Sequence, residues 1–391
     1  MKPGPVIAVI DPTPVPAEDC RAAAAVLAAW RAGGVPARGL RLVAARDADF
    51  PRGAREFVTA DRRPMPNGCF WLERATGGVW LPPMSETPLS GPVVLAAASE
   101  ADLPEGVDLV LRRDEIPLVV DEFGRPWLEG PVPGLPEAIP QARPIPRGAA
   151  LRICVIGFDD HLRRVNPTVI ARLADAADAG GFRLEISTVP AETVVALGIP
   201  SGIDGLVLPG GGDMGQVEAL VRGAQDAWET DLPLLGLCLG MQGMTLAALR
   251  RGGWPDANLE EIVGPGPGNS RNGFVRMKDA GGNDRDRKGD ATLVPAPGSR
   301  LAALLGGPVA VRMHHRFCMN PEGYGVAAAA GQLATAFDPL GVVEAVEFPG
   351  RRFQIGLQGH PEISVSPGLE GLWRGFLRAC AERAATATAA R

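Results

Sequence analysis

The run Leu234-Leu235-Gly236-Leu237-Cys238-Leu239-Gly240-Met241-Gln242 constrains the fold of this chain more than any other. Four mostly apolar residues read as a buried strand. A small-X-Cys-X-Gly turn follows, and a helical pattern begins at once. A chain that passes from strand to helix in so few residues must turn sharply, and a Cβ at Gly236 or Gly240 would crowd the backbone there. The cysteine then stands at the tip of a strand. N–H groups of the new helix point toward its sulfur, where they favour a thiolate and can hold an oxyanion. A single cysteine is more often a buried structural thiol, so the rest of the chain has to decide.

The surrounding sequence alternates between two textures. Leu151–Gly157, Arg183–Ser187, Asp204–Pro209 and Leu234–Leu237 read as strands. Between them, Pro167–Ala179, Ala191–Ala196 and Val217–Trp228 read as helices, the last with apolar residues at 217, 220, 221, 224 and 228. This spacing predicts an α/β fold: an open, mostly parallel sheet with helices on both faces. Sites in such sheets lie beyond the carboxyl ends of the strands. Pro209-Gly210-Gly211-Gly212 and Cys238 both fall there. Further on, Gly264–Asp290 lacks periodicity and reads as a long loop. Pro308–Arg312, Val342–Phe348 and Arg352–Leu357 read as strands, and Leu369–Cys380 as the apolar face of a last helix.

The first 125 residues read as a smaller, mixed α/β domain. Val6–Ile10 is a strand, Glu18–Ala32 a helix, and Cys69–Trp71 with Val79–Leu81 a hairpin around Thr76-Gly77-Gly78. No phosphate loop appears and no chemistry is assignable to this domain. Seven prolines between Gly124 and Gly148 predict a semi-rigid spacer over 126–149. The catalytic-type domain then spans 150–383, and 384–391 is a tail. At 391 residues, 46% hydrophobic and 21% charged, the chain has material for two or three globular domains. A net charge of −6 gives no basic field for nucleic acid. No apolar run is long enough to span a membrane, and Met1–Pro5 lacks the run of a signal peptide. Six scattered cysteines show neither CxxC nor metal spacing, so the expectation is a reducing, cytoplasmic setting with no metal and no cofactor.

The second motif is Gln358-Gly359-His360-Pro361-Glu362, directly after a strand. A histidine at a strand end, two residues before a carboxylate, is placed to act as a base oriented by an acid, with Pro361 fixing the backbone between them. A thiol is a stronger nucleophile when an imidazole takes its proton, and the imidazole works best when a carboxylate holds its other nitrogen. His360 lies 122 positions after Cys238 and is one of only four histidines. Singly it is an ordinary histidine; paired with the turn cysteine it becomes a candidate base.

Cys238, His360 and Glu362 in these motifs resemble the catalytic triad of the class I glutamine amidotransferases, whose fold is flavodoxin-like, and within them most of all the glutaminase domain of CTP synthase. The likeness covers roughly residues 150–380. It implies an oxyanion hole from an amide of Gly211 or Gly212 and that of Leu239. It implies that Gln242, one helical turn after Cys238, contacts the amino-acid end of bound glutamine. Ala257-Asn258-Leu259-Glu260-Glu261 resembles the family's Ala-Asn-X-X-Glu, which gives Glu261 the substrate ammonium. His315-Arg316-Phe317 resembles His-Arg-Tyr, which gives Arg316 the α-carboxylate.

Two departures stand out. The family usually has an aromatic residue where this chain has Gly359, and the first 125 residues lack the synthase domain's phosphate loop, so CTP synthesis is not expected. The implied reaction is glutamine hydrolysis through a γ-glutamyl thioester, with ammonia passing to a synthase partner. Two alternatives remain: hydrolysis or transfer from a larger γ-glutamyl amide, and a non-catalytic regulatory subunit that keeps the fold.

Overall fold

The computed structural model of the protein describes residues 4–13, 20–42, 57–58, 64–65, 69–76, 91–143, 148, 150–165, 167–265, 271–279, 281–364 and 366–389. The chain divides into two compact units: Met1–Ile145 with Asp160–Ala171, and Pro146–Asp159 with Arg172–Arg391.

The first unit is built on a parallel sheet of β1 (Val6–Ile10), β2 (Arg38–Arg41), β3 (Val93–Ala97) and β4 (Leu109–Arg112), in the order β2-β3-β1-β4. β1 and β3 are buried at every residue, as unbroken aliphatic runs require in a strand covered on both faces. Helix α1 (Arg21–Ala32) buries Ala22–Leu27 and Trp30.

Cys69–Trp71 is not a strand but the start of helix α2 (Cys69–Thr76). Phe70, Trp71 and Leu72 are all buried. A run of three apolar residues suits either element, and the surrounding core selects the helix. Val79–Leu81, the other half of the expected hairpin, lies outside the described residues. The proline-rich stretch is not a free spacer where it is described. Pro126–Leu128 pairs antiparallel with Leu118–Val120, and Leu128, Val132, Leu135 and Ala138 enter the core of the first unit. Proline blocks a continuous ladder, but the apolar residues between prolines still bury.

The second unit carries a nine-stranded sheet. Its strands are β5 (Ala150–Ile156), β6 (Arg183–Val189), β7 (Gly205–Leu208), β8 (Leu234–Leu237), β9 (Arg287–Pro295), β10 (Val309–His315), β11 (Leu333–Phe337), β12 (Val343–Glu347) and β13 (Gln354–Leu357). Their order is β6-β5-β7-β8-β13-β12-β11-β9-β10. The first five strands in that order are parallel. The other four extend the sheet antiparallel.

Between the parallel strands run α3 (Thr168–Gly180), α4 (Ala191–Leu197) and α5 (Val217–Glu229), and α6 (Leu239–Arg251) leaves β8 directly. Short α7 (Glu260–Val263) and the last helix, α8 (Glu370–Ala389), follow. Neighbouring residues of β7 show the two covered faces. Gly205 lies against Phe376 and Cys380 of α8, whereas Leu206 and Leu208 lie against Gly223 of α5. The expected long loop over Gly264–Asp290 contains structure: Asn272–Arg276 pairs antiparallel with Phe317–Met319, and β9 begins at Arg287. Phe274 drives this, since it is fully buried.

Among the described residues no helix is long and apolar enough to cross a membrane, and no group of three or more His, Cys, Asp or Glu residues could hold a metal ion.

Candidate active site

β8 delivers Cys238 to the carboxyl edge of the parallel sheet, and α6 starts at the next residue. Cys238 has φ 48° and ψ −106°. A side chain bearing a Cβ rarely adopts such a backbone, which costs about 1–3 kcal/mol and persists only where surrounding contacts enforce it. Here the Cys238 N–H donates to the Leu357 carbonyl at 2.7 Å, and its own carbonyl accepts from the Gln242 N–H at 3.1 Å. The turn is as tight as the glycines suggest. A methyl group at Gly240 would sit 2.0 Å from the Leu208 carbonyl oxygen, and one at Gly236 would sit 2.5 Å from Met244 Sδ. Gly240→Ala is expected to destabilise the protein by about 2–3 kcal/mol, because a backbone carbonyl cannot move aside without shifting β7. A denaturant midpoint equal to that of the parent would show that α6 is not clamped against β7.

β13 delivers the second motif beside the first. His360 Nδ1 meets Glu362 Oε1 at 2.7 Å, and His360 shares a side-chain hydrogen bond with Cys238. All three are buried: Cys238 is 7% exposed, His360 4% and Glu362 0%. Burial pulls the His360 imidazolium down. The charges of Glu362 and Cys238 and the hydrogen bonds to both outweigh it and hold the imidazole well above 6.5. The turn is fastened from two sides. Ser364 Oγ donates to the His360 carbonyl at 2.6 Å and accepts the Arg312 N–H at 2.8 Å. Arg172 donates to the carbonyls of Glu362 and Ser364 at 3.2 and 3.0 Å.

The glycine loop after β7 closes a third side. A Cβ at Gly210 would fall 3.0 Å from His360 Cε1 and 3.1 Å from Cys238 Cβ, so the backbone of this loop lies directly on the cysteine and histidine. Gly211 is half-buried and Gly212 exposed. Leu239, the first residue of α6, is buried.

A class-I glutamine amidotransferase family model matches residues 168–379, which contain all of these groups. The chain belongs to the class-I glutamine amidotransferase family. It is 30% identical over 234 residues to a CTP synthase of Methylobacterium nodulans, covering 55% of this chain and 42% of that one. It is 34% identical over 200 residues to a CTP synthase of Parvibaculum lavamentivorans, covering 46% and 36%. The chain thus spans less than half the length of these curated relatives. A solved structure, the glutaminase domain of Trypanosoma brucei CTPS with bound acivicin, aligns with TM-score 0.52 at 26% identity, over 59% of this chain and 94% of that domain.

The other residues singled out from the amidotransferase motifs fall into two groups. Gln242 is 7% exposed on α6 and donates to Gln358 Oε1 at 3.4 Å. Glu261 on α7 and Arg316 after β10 come from distant parts of the sequence and form an ion pair at 2.5 Å. Both are partly open to solvent, so the pair itself stabilises the protein by no more than about 1 kcal/mol.

Gln358 is a contact that the sequence reading did not single out. It is fully buried, and its Nε2 approaches Cys238 Sγ at 3.8 Å. Its place two residues before His360 in the quoted motif was the available signal. A second is the buried group of Arg287, Asp338, Glu344 and His315. Glu344 meets Arg287 Nε at 3.0 Å and His315 Nε2 at 3.5 Å, and Arg287 also pairs with Asp338. Its members lie on β9, β10, β12 and the β11–β12 turn, and apart from His315, which stands in the His315-Arg316-Phe317 motif, no local motif contains them.

The departure at Gly359 has a steric basis. A Cβ there would lie 2.6 Å from Val311 Cγ1 and 2.8 Å from Met313 Sδ. Side chains of β10 fill the volume into which any side chain at 359 would project.

Proposed function

We propose that this chain hydrolyses the side-chain amide of glutamine through a covalent γ-glutamyl thioester. The observation that carries the reading is one constellation: Cys238 at φ 48° on the strand-to-helix turn, hydrogen-bonded to His360, with Glu362 at 2.7 Å from the histidine's Nδ1. In this reading His360 takes the thiol proton, and Cys238 Sγ forms a bond to the amide carbon. The negative charge passes to the amide oxygen, which receives the N–H of Leu239 and one from Gly211 or Gly212. Collapse breaks the C–N bond, and His360 gives its proton to the departing nitrogen, releasing ammonia. Water, deprotonated by His360, then attacks the thioester; glutamate leaves and the thiol re-forms. Glu362 holds the imidazole in orientation and supports its positive charge throughout. No step calls for a cofactor or a metal.

Glu261 and Arg316 suit the amino-acid end of the substrate. An α-ammonium and an α-carboxylate can each replace one partner of the weak Glu261–Arg316 pair, and a guanidinium grips a carboxylate in two bonds. Gln358, held by Gln242, adds an amide next to the thiol. Arg316→Ala is expected to raise KM for glutamine by about ten- to a hundredfold with a much smaller change in kcat, since a bond to a charged group carries about 1.5–3 kcal/mol. An unchanged KM in steady-state assays would remove Arg316 from the site.

The ammonia is assigned to a synthase activity carried by another chain or domain, by analogy with the CTP synthases that the sequence matches. The test of the whole reading is glutamate and ammonia release from glutamine by purified protein, with acid-quenched mass spectrometry of the Cys238 peptide. Equal release of both products and a γ-glutamyl adduct on Cys238 are expected. Turnover of a γ-glutamyl amine but not of glutamine would transfer the same chemistry to a larger substrate. Turnover of neither would overturn it.

A further inference from the structure

Two side chains that follow β13 reach the sulfur, not one. Gln358 and His360 both contact Cys238, whereas a side chain at Gly359 between them would run into Val311 and Met313 of β10. This is the alternation of an extended chain, which sends neighbours to opposite sides and residues two apart to the same side. The backbone of Gln358 is anchored. Its N–H donates to the Glu344 carbonyl of β12 at 2.8 Å, and the preceding Leu357 carbonyl accepts the Cys238 N–H at 2.7 Å. Amide and sulfur therefore stand on the ends of two strands, β13 and β8, that are fastened to each other.

A carboxamide can turn either its oxygen or its NH₂ group toward a neighbour. Two relations select the NH₂. Gln358 Oε1 accepts from Gln242 Nε2 at 3.4 Å, and this leaves Gln358 Nε2 facing Cys238 Sγ at 3.8 Å. A thiol also has only one proton, and here His360 is the partner for it. Any second partner of the sulfur must then be a donor. Gln358 is fully buried and Cys238 is 7% exposed, so little water competes for the contact. A donor aimed at a charge is worth more in such a setting than in water. In the proposed reaction the N–H of Leu239 and that of the glycine loop serve the substrate oxygen. Charge on the sulfur needs a donor of its own, and Gln358 supplies one.

We propose that Gln358 is a further catalytic residue: its side-chain NH₂ donates to the Cys238 sulfur and stabilises the thiolate. The bond acts twice in each turnover. It forms to the charged sulfur when His360 removes the thiol proton, and again when the C–S bond of the thioester breaks and its electron pair returns to sulfur. The proposal rests on the reading of Cys238 as the nucleophile.

The test follows alkylation of Cys238 by iodoacetamide as a function of pH. It is read on the Cys238 peptide by mass spectrometry, so that the other thiols do not contribute. The parent is compared with Gln358→Met, which keeps the length of the side chain and has no donor, while His360 and Glu362 stay as they are. Loss of one hydrogen bond to a charged group is expected to move the alkylation profile to higher pH by about one to two units. A side chain that merely fills space would be replaced by methionine without that movement. A profile that superimposes on the parent's, or moves to lower pH, would overturn the proposal. A second measurement needs no variant at position 358: a proton–nitrogen NMR titration of the Gln358 side-chain NH₂ in the parent and in Cys238→Ala. One of its protons is expected to move downfield over the same pH range as the alkylation in the parent and to stay in place in Cys238→Ala. Movement in both proteins, or in neither, would overturn the proposal, and this result decides alone if Gln358→Met does not fold. Neither measurement uses glutamine. A protein that shows both effects but releases no glutamate would sink the hydrolase reading and keep the assignment of Gln358; an active enzyme with neither effect would do the reverse.

Discussion

Cys238→Ala is expected to reduce glutamate release from glutamine to background, a loss of about 10⁴-fold or more in kcat, while leaving the fold intact. The magnitude follows from the proposed role. Without the sulfur no thioester can form, and what remains is binding and oxyanion stabilisation around a water molecule. The fold persists because the change removes one atom from a site already strained: alanine keeps a Cβ and therefore the same unfavourable φ of 48°. Cys238→Gly is the informative companion. It removes the same nucleophile but relieves the backbone, so it should be equally inactive and more stable by about 1 kcal/mol. Activity together with the denaturant midpoint checks both parts. Substantial turnover by either variant would place the nucleophile elsewhere.

The second large effect is expected at Glu362. Glu362→Gln keeps the shape of the side chain and removes the charge that His360 Nδ1 meets at 2.7 Å. The amide no longer fixes the tautomer or supports the imidazolium, and kcat is expected to fall about 10³- to 10⁴-fold. The same change alters the pH dependence of stability in a definite direction. The folded value of His360 is raised well above 6.5. Its contribution to stability is therefore fully present below about 6.5 and is lost as pH rises through the folded value. The penalty of Glu362→Gln should be greatest between about pH 5 and 6.5 and should shrink at alkaline pH, where the parent has already lost that contribution. Urea denaturation of both proteins at several pH values checks this. A penalty that grows with pH would mean that His360 is not held protonated by Glu362.

Much of this chemistry is local in the sequence. The elbow is legible because Gly236 and Gly240 are the only residue type that fits beside Met244 and the Leu208 carbonyl. The His360–Glu362 contact is legible because residues two apart at a strand end can share one side when the backbone between them is fixed. The five parallel strands are legible because strands covered on both faces read as continuous apolar runs. The helix at Cys69–Thr76 was not, since Phe70-Trp71-Leu72 has no periodicity long enough to separate helix from strand. Nor was the strand Asn272–Arg276, whose partner Phe317–Met319 lies more than forty residues away in a stretch rich in turn formers.

The sequence by itself determined which groups are the candidates for the proposed chemistry and on which local elements they stand: a thiol on a glycine-flanked turn, a histidine and a carboxylate after a strand, an arginine and a glutamate in separate motifs. These follow from backbone sterics and short-range spacing, which are properties of neighbouring residues. Only the tertiary structure decided what surrounds them. It packed β10 across His360 so that Gly359 has no room for a side chain. It buried Arg287, Glu344 and His315 as one ionic group behind the site. Those relations depend on which strands pair and in what register, and pairing between distant segments is settled by the burial of the whole sheet, not by any stretch of sequence within it.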